Sequence, residues 1–327
     1  MVVRHVALKV LDSFFLLRIP LLVPVWTILL LGWITGSPDA SIWSLSSSAS
    51  GAVTYLWPAL IGFSLVVASI YVVNQIVDIE SDRINHKLFL LPHGIVSVRT
   101  AWVLALLCLG GGMAIGWMLG PGMLAIFVAS VLLGVAYNLP PASLKNRAVG
   151  GVAANSLGHG MLTYLVGWYA AKQGVACDWS LLQTGLVSSL SPAFANGAVF
   201  LATTIPDAQG DSATGKQTFC VQYGKRATAV AAALFCVAAL TTALLMEHNR
   251  LVMVVPSAIS VMLFFWLAVS SRREVAFQAF RWPVVLLSLA VFMMVPVYGV
   301  MLACTFLASR AYYRHRFGIE YPTFKSK

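Results

Sequence analysis

The chain has 327 residues, of which 59% are hydrophobic and only 10% are charged. Soluble domains carry about 25% charged residues, so this composition excludes an ordinary soluble protein and indicates one embedded in a membrane. The net charge of +10 could suggest a nucleic-acid partner. The basic residues, however, are dispersed among the loops and are not gathered on one module, so the sequence predicts no nucleic-acid binding.

Apolar runs that can cross a bilayer, about 20 residues each, occur nine times along the chain. In order they cover residues 13–36, 52–77, 95–118, 121–138, 150–171, 182–204, 227–246, 251–270 and 283–308. No linker or low-complexity tract divides them. We therefore predict an all-α, polytopic membrane protein with about nine transmembrane helices, in which residues 1–327 form a single domain.

The loops differ strongly in their content of basic residues. The amino terminus and the loops after the second, fourth, sixth and eighth helices hold Arg4, Lys9, Arg83, Lys87, Arg99, Lys145, Arg147, Lys216, Lys225, Arg226, Arg272, Arg273 and Arg281. The opposite loops hold only Lys172 and Arg250. Because cytoplasmic loops are enriched in Lys and Arg, the amino terminus is predicted to be cytoplasmic, in a membrane interpreted as a bacterial inner (plasma) membrane.

The carboxyl-terminal tail disagrees with this topology. Nine helices would place it on the opposite side, yet it carries Arg310, Arg314, Arg316, Lys325 and Lys327. Either the tail is translocated against the bias or the helix count is wrong by one. The agreement among the other loops favours a translocated tail.

Acidic residues are concentrated in two stretches that each follow a long apolar run, NQIVDIESDRINH at 74–86 and IPDAQGDSATGKQTF at 205–219. Of the 11 acidic residues in the chain, these stretches contain Asp78, Glu80, Asp82, Asp207 and Asp211. On a helix, residues four apart share a face, so Asn74, Asp78 and Asp82 are predicted to lie along one face. The second stretch repeats the same spacing of aspartates.

Like charges at this spacing repel one another, so the pairs need a cause. They could be solvated helix ends or partners of Arg83, Lys87 and Lys216, but that does not explain why two helices four apart carry the same D-x-x-x-D spacing. The functional interpretation is two carboxylate pairs that face each other across a cavity and bind divalent cations. Oxygen ligands of this kind suit Mg²⁺, which completes its shell with water and substrate phosphates. The scattered cysteines and histidines indicate no zinc site.

The motifs N-x-x-x-D-x-x-x-D at 74–82 and D-x-x-x-D at 207–211 resemble those of the UbiA superfamily of intramembrane prenyltransferases. The sequences of both stretches are similar to the motifs of the homogentisate and chlorophyll-type branch. AYNLPPASLK at 136–145 resembles the tyrosine-containing loop after the fourth helix of chlorophyll synthases. The sequence departs from the pattern at LFLLPHG (88–94), which lacks an arginine that many members have, and at Thr204, where relatives often have a charged residue. These departures concern the acceptor more than the chemistry.

The resemblance implies helices arranged around a central cavity and a role for each polar residue. Asp78, Asp82, Asp207 and Asp211, with Asn74 as a neutral donor, would hold Mg²⁺ ions that bridge the diphosphate of a polyprenyl donor. Further cationic contacts to the diphosphate are predicted from Lys145, Arg147, Lys216 and Arg18. Arg18 stands within an otherwise apolar first helix, where an arginine indicates function, although it could also extend to the membrane surface.

An allylic carbocation would need shielding from water and a nearby aromatic face, for which Tyr137 is the first candidate. Phe14, Tyr71 and Tyr164 are further aromatic candidates. The isoprenoid tail would run between helices toward membrane lipid.

Three functions are compatible with the sequence. The leading one is prenyl transfer to a lipophilic acceptor, with an aromatic quinone precursor preferred over a chlorophyllide-like macrocycle, a carotenoid or a glycerol phosphate. The second is a UbiA-type terpene cyclase, in which an internal double bond is the nucleophile. The third is a cation-coupled transporter, although the inverted repeats typical of transporters are not visible. The site is predicted to face the cytoplasm in each case.

Overall fold

A computed structural model describes residues 2–37, 51–84, 90–172 and 179–321. Its α-helices are, in chain order, α1 (Val2–Leu16), α2 (Ile19–Gly36), α3 (Gly51–Val77), α4 (Ile79–Ile84), α5 (Val98–Met118), α6 (Pro121–Asn138), α7 (Ala148–Asn155), α8 (Thr163–Ala171), α9 (Trp179–Ala213), α10 (Phe219–Ala243), α11 (Leu251–Ser270), α12 (Arg273–Met294) and α13 (Pro296–Phe317). A 3₁₀ turn (Leu144–Asn146) precedes α7, and a π-helical segment (Ser156–Leu162) joins α7 to α8. The described ranges contain no strand. Lys87 and part of the predicted LFLLPHG segment lie outside them.

Eight of the described helices are long and apolar enough to cross a membrane, namely α2, α3, α5, α6, α9, α10, α11 and α12. The continuous helix made by α7, the π segment and α8 gives a further crossing in the predicted position. Large apolar side chains such as Leu107, Met118 and Phe265 are exposed on the outside of the bundle, where lipid would cover them. The prediction of an all-α integral membrane protein is therefore confirmed.

The first predicted helix, 13–36, is two helices in the structure. α1 ends before Arg18, whose backbone is left-handed (φ 56°), and α2 then begins with Pro20 in its first turn. Proline suits this position because the N–H that it lacks would have no helical partner there. The prediction that Arg18 lies inside a membrane helix is wrong, because the residue lies at the junction of α1 and α2.

The last predicted helix, 283–308, is also divided. Val295 leaves helical geometry (φ −133°, ψ 80°), and α13 begins at Pro296. A proline lacks the N–H that would continue the hydrogen bonds of α12. The chain turns at this point, so α12 and α13 are separate helices.

The end of α13 lies beside α1. The Tyr312 hydroxyl donates a hydrogen bond of 2.6 Å to Asp12, and the Tyr312 ring stacks on Phe15 with centroids 3.9 Å apart. Arg316 forms an ion pair with Asp12 at 3.1 Å. The tail therefore lies at the end of the bundle that carries α1, which contradicts the preferred interpretation of a translocated tail.

Small residues allow the helices to pack closely. At Gly32 on α2 and Gly167 on α8, an added Cβ would collide with the backbone of the other helix. Membrane helices associate through such small residues because lipid gives them little hydrophobic driving force. These two helices form the centre of the largest buried apolar cluster.

The two ends of the bundle differ in their polar contacts. At one end, the side chain of Gln75 donates to the Leu16 carbonyl at 2.8 Å and fixes the α1–α2 junction beside the end of α3. At the other end, Asn249 donates to the Ile34 carbonyl at 3.0 Å, and Lys172 pairs with a carboxylate of the α10–α11 loop. The first of these ends, where α3, α6 and α9 terminate, is called the carboxylate end below.

Candidate functional site

The first acidic stretch keeps its helical register where α3 passes into α4. The amide of Asp78 donates to the Asn74 carbonyl at 3.0 Å, and the amide of Asp82 donates to the Asp78 carbonyl at 2.8 Å. Asn74, Asp78 and Asp82 therefore keep the i, i+4 helical spacing in the structure. Glu80 points elsewhere: its side chain is 74% exposed and pairs with Arg83 at 2.8 Å.

The second acidic stretch forms the last turns of α9. Asp207 and Asp211 both lie in this helix, which ends in a turn where Gly215 has φ 74°. The amide of Lys216 donates to the Asp211 carbonyl at 2.9 Å, and the amide of Gly215 donates to the Ser212 carbonyl at 3.1 Å. This pair of hydrogen bonds is a Schellman motif, which favours glycine because its left-handed residue carries no Cβ strain. The motif folds Lys216 back over the end of its own helix.

Three elements of the carboxylate end meet at Asp78. The Lys145 ammonium lies 2.8 Å from Asp78 Oδ1, and the Lys216 ammonium lies 3.9 Å from the same oxygen. An isolated β-bridge between Arg147 and Gln217 joins the two loops that carry these lysines. The site thus combines α3, the α6–α7 loop and the turn after α9.

Asn138 is a residue of this site that the sequence interpretation did not include. Its side-chain oxygen accepts a hydrogen bond of 2.7 Å from Asn74, whose amide also donates to Asp78 at 3.1 Å. The residue is 1% exposed. Its position directly after Tyr137, at the end of α6, was the one available signal. Asn138 orients Asn74 and, through it, the Asp78 carboxylate.

The positions of the charged side chains in this site destabilise their ionised forms. Asp78 and Asp211 lie at carboxyl-terminal helix ends, where the helix dipole disfavours negative charge. The Lys145 side chain is only 7% exposed. Burial lowers the pKa of Lys145, and its hydrogen bond to Asp78 opposes that change. Additional positive charge would therefore stabilise the cluster.

The donor set of the site fits Mg²⁺ shared with a substrate. All of its candidate ligands are carboxylate or amide oxygens, which suit a hard cation. Within the described residues, no three or more His, Cys, Asp or Glu side chains converge into a preformed metal cage. Mg²⁺ is commonly held by one or two carboxylates and completed by substrate phosphates, so each aspartate pair fits a metal that binds together with a diphosphate.

The remaining predicted residues differ in their distance from this centre. Tyr137 lies within electrostatic range of both Asp78 and Asp211, so it is close to both acidic stretches. Tyr71, further along α3, lies within range of Tyr137 and of Arg18. Arg18 is therefore close to the site even though it is not inside a membrane helix.

Three predicted residues are less well placed. Arg147 is exposed, and its guanidinium donates to the Pro141 carbonyl at 3.1 Å. Tyr164 lies at the opposite end of the bundle, where its hydroxyl and that of Thr35 are 2.7 Å apart. Phe14 is 46% exposed on α1. Tyr164 is consequently a packing residue and not part of the site.

The chain matches one family model and is similar to several known proteins. The model of the UbiA prenyltransferase family matches residues 25–282. A 2-acylphloroglucinol 4-prenyltransferase of Humulus lupulus is 28% identical over 58% of this chain and 49% of its own length. A probable chloroplastic homogentisate phytyltransferase 2 of Oryza sativa is 29% identical over 50% of this chain and 44% of its own. The chain thus spans about half the length of the curated relatives it matches.

The fold is similar to that of solved structures. A UbiA homolog from Archaeoglobus fulgidus bound to DMAPP and Mg²⁺ superimposes with a TM-score of 0.62 at 17% identity, covering 89% of this chain and 99% of its own. At this level of identity the likeness concerns the fold.

Proposed function

Because this chain belongs to the UbiA prenyltransferase family, we propose that it transfers a polyprenyl group from a prenyl diphosphate to a lipophilic aromatic acceptor within the membrane, with Mg²⁺ as cofactor. The observation that carries the proposal is the convergence of both acidic motifs and two lysines at one end of the bundle. Anionic diphosphates are bound by this combination of carboxylate-held metal and ammonium groups.

Each part of the site has a separate task in this reaction. Asp78, Asp82, Asp207 and Asp211, with Asn74, hold the metal at the carboxylate end. When bound, Mg²⁺ neutralises the charge that develops on the departing diphosphate. Lys145 and Lys216 donate hydrogen bonds to the diphosphate oxygens, and Arg18 adds a more distant positive charge. Arg147 is the weakest candidate of the predicted cations because it already binds a backbone carbonyl.

Cleavage of the C–O bond to diphosphate leaves an allylic cation on the prenyl chain. The ring of Tyr137, which is close to both acidic stretches, offers this cation an electron-rich face. A carbon of the acceptor ring then bonds to the cation, and the released diphosphate takes up the proton that this ring carbon loses. The prenyl tail extends between helices toward lipid.

The names of the relatives support an aromatic acceptor that carries hydroxyl groups. Homogentisate and 2-acylphloroglucinol, named for two relatives, are both aromatic rings that carry several hydroxyl groups. An acceptor of this polyphenolic class is preferred here over a macrocycle, a carotenoid or a glycerol phosphate. A transporter is disfavoured because the family model matches a prenyltransferase.

Product analysis tests the reaction directly. Detergent-solubilised protein is incubated with DMAPP or GPP, with and without homogentisate or 2-acylphloroglucinol, and the products are identified by mass spectrometry. We expect prenylated aromatic products that form with Mg²⁺, disappear with EDTA and return when Mg²⁺ is added in excess. A cyclic hydrocarbon formed from the diphosphate alone would support the cyclase instead, and full turnover without metal would refute the metal-dependent mechanism.

We further propose that the carboxylate end faces the cytoplasm of a bacterial inner membrane, on the basis of the basic loops. In a variant without the native cysteines, a cysteine at Ser212, which is exposed, should react with a membrane-impermeant maleimide only after the cells are opened. A cysteine at Arg250, at the opposite end, is the matched control and should react in intact cells. The reverse pattern would invert the proposed orientation.

A further inference from the structure

A histidine inside the bundle has no place in the mechanism described so far. His159 lies in the π-helical segment Ser156–Leu162, within the continuous helix that α7 and α8 form. π-helical turns are rare and frequently occur at functional sites. Ionisable side chains within membrane helices are also rare and usually face a functional cavity.

The side chain of His159 points inward. Leu157, two residues earlier and about half a turn away, is 43% exposed on the outside of the bundle. The His159 ring instead lies 5.9 Å from the ring of Tyr71 on α3. The next residue fixes this segment, because a Cβ on Gly160 would come within 2.7 Å of the Pro192 carbonyl of α9.

This position is adjacent to the reacting centre and deeper in the membrane. Tyr71 precedes Asp78 by seven residues and therefore lies about 10 Å along the helix from it. Tyr71 is within electrostatic range of Tyr137, which in turn is within range of Asp78 and Asp211. His159 thus lies deeper in the bundle than the diphosphate site, beside the face of α3 that carries Tyr71.

The imidazole also has unused hydrogen-bonding capacity. Its contact with Tyr71 is between the rings, and no hydrogen bond joins either nitrogen to the residues that the structure describes. A neutral imidazole carries one donor and one acceptor, and the His159 side chain is half-buried. A phenolic hydroxyl can donate to the acceptor nitrogen.

We propose that His159 is a positioning residue that accepts a hydrogen bond from a hydroxyl of the polyphenolic acceptor and so orients the ring toward the prenyl carbon. The inference rests on the proposed function and deepens it, since it assigns recognition of the acceptor to a part of the chain outside the acidic motifs. Tyr71, whose ring faces His159, would form one wall of the same subsite.

The test separates binding of the acceptor from binding of the donor. Initial rates are measured with GPP and with homogentisate or either of its mono-O-methyl ethers. The wild-type protein should use one ether poorly, because that ether lacks the hydroxyl that His159 binds. In His159→Phe the kcat/KM for homogentisate should fall about tenfold, as expected for the loss of one hydrogen bond. The KM for GPP should stay constant. The discrimination against that ether should disappear.

Three further variants complete the experiment. His159→Leu should reproduce the loss and serves if the phenylalanine variant does not fold, as judged by thermal melting with Mg²⁺ and GPP. His159→Gln should restore part of the discrimination, and His248→Phe, a histidine at the opposite end of the bundle, should leave all these quantities unchanged. Unaltered discrimination in the folded His159 variants would overturn the inference alone. Failure of the wild-type protein to prenylate either polyphenol would overturn the proposed function and the inference with it.

Discussion

Replacing Asp78, Asp82, Asp207 or Asp211 with alanine should lower the rate of prenyl transfer by about 100-fold or more, because each change removes a metal ligand and part of the charge stabilisation of the leaving diphosphate. Replacement by asparagine keeps the shape and one neutral oxygen but loses the charge. If charge is what the site requires, the asparagine variants should be nearly as inactive as the alanine variants. The measurement is product formation from GPP by purified protein, with folding checked by size-exclusion elution.

Glu80→Ala is the matched control. Glu80 stands between two of these aspartates in the sequence, yet its side chain is 74% exposed and pairs with Arg83 outside the site. The expected rate is close to that of the wild type. The two-cluster site would be wrong if Glu80→Ala were as inactive as Asp78→Ala, or if both Asp207→Ala and Asp211→Ala kept near-normal rates.

The acidic register could be predicted from the sequence because helical spacing alone determines it. Residues four apart share a face, and the hydrogen bonds through Asp78 keep that register across the end of α3. The conflict between the basic tail and a nine-helix topology was also visible. The course of the tail was harder to predict, because the run around Val295 is apolar throughout and only Pro296 marks the break.

Other features depend on contacts between distant parts of the chain. Asn138 reaches Asn74 across 64 positions of sequence, and its position after Tyr137 does not by itself predict that contact. Lys145 and Lys216 were both predicted to contact the diphosphate because of their charge. Their different distances to Asp78 follow from the Schellman turn and the Arg147–Gln217 bridge. His159 was overlooked because a single histidine in an apolar run carries no spacing signal.

The structure therefore ranks three cations that the sequence treated alike. Lys145 is nearly buried and lies 2.8 Å from Asp78, Lys216 is 26% exposed at 3.9 Å, and Arg147 is exposed and bound to a backbone carbonyl. The pair of Lys145 and Asp78 holds the two charges together before any substrate arrives. A diphosphate with its metal would bring both kinds of charge to the same place, so Lys145 can serve the carboxylate and the substrate in turn.

Lys145→Met should accordingly have the largest effect of any substitution among these cations. We expect kcat/KM for the prenyl diphosphate to fall about 100-fold, which is typical for removal of one preorganised donor to a developing negative charge. Removing one partner of a buried ion pair also costs about 3–5 kcal/mol of unfolding free energy, so a lower melting temperature without substrate is expected as well. Lys145→Arg keeps the charge but changes its geometry, and it should recover stability more completely than activity.

Lys216→Met and Arg147→Met separate the catalytic effect from a general loss of positive charge. Each removes one unit of charge from the same end of the bundle, but Lys216 is partly screened by solvent and Arg147 is directed away from Asp78. A graded loss of kcat/KM is expected, largest for Lys145, intermediate for Lys216 and small for Arg147. Equal losses in all three variants would indicate that only the overall positive potential at the carboxylate end matters. A Lys145→Met protein that melts early but turns over normally would make Lys145 a structural partner of Asp78 and remove it from the diphosphate site.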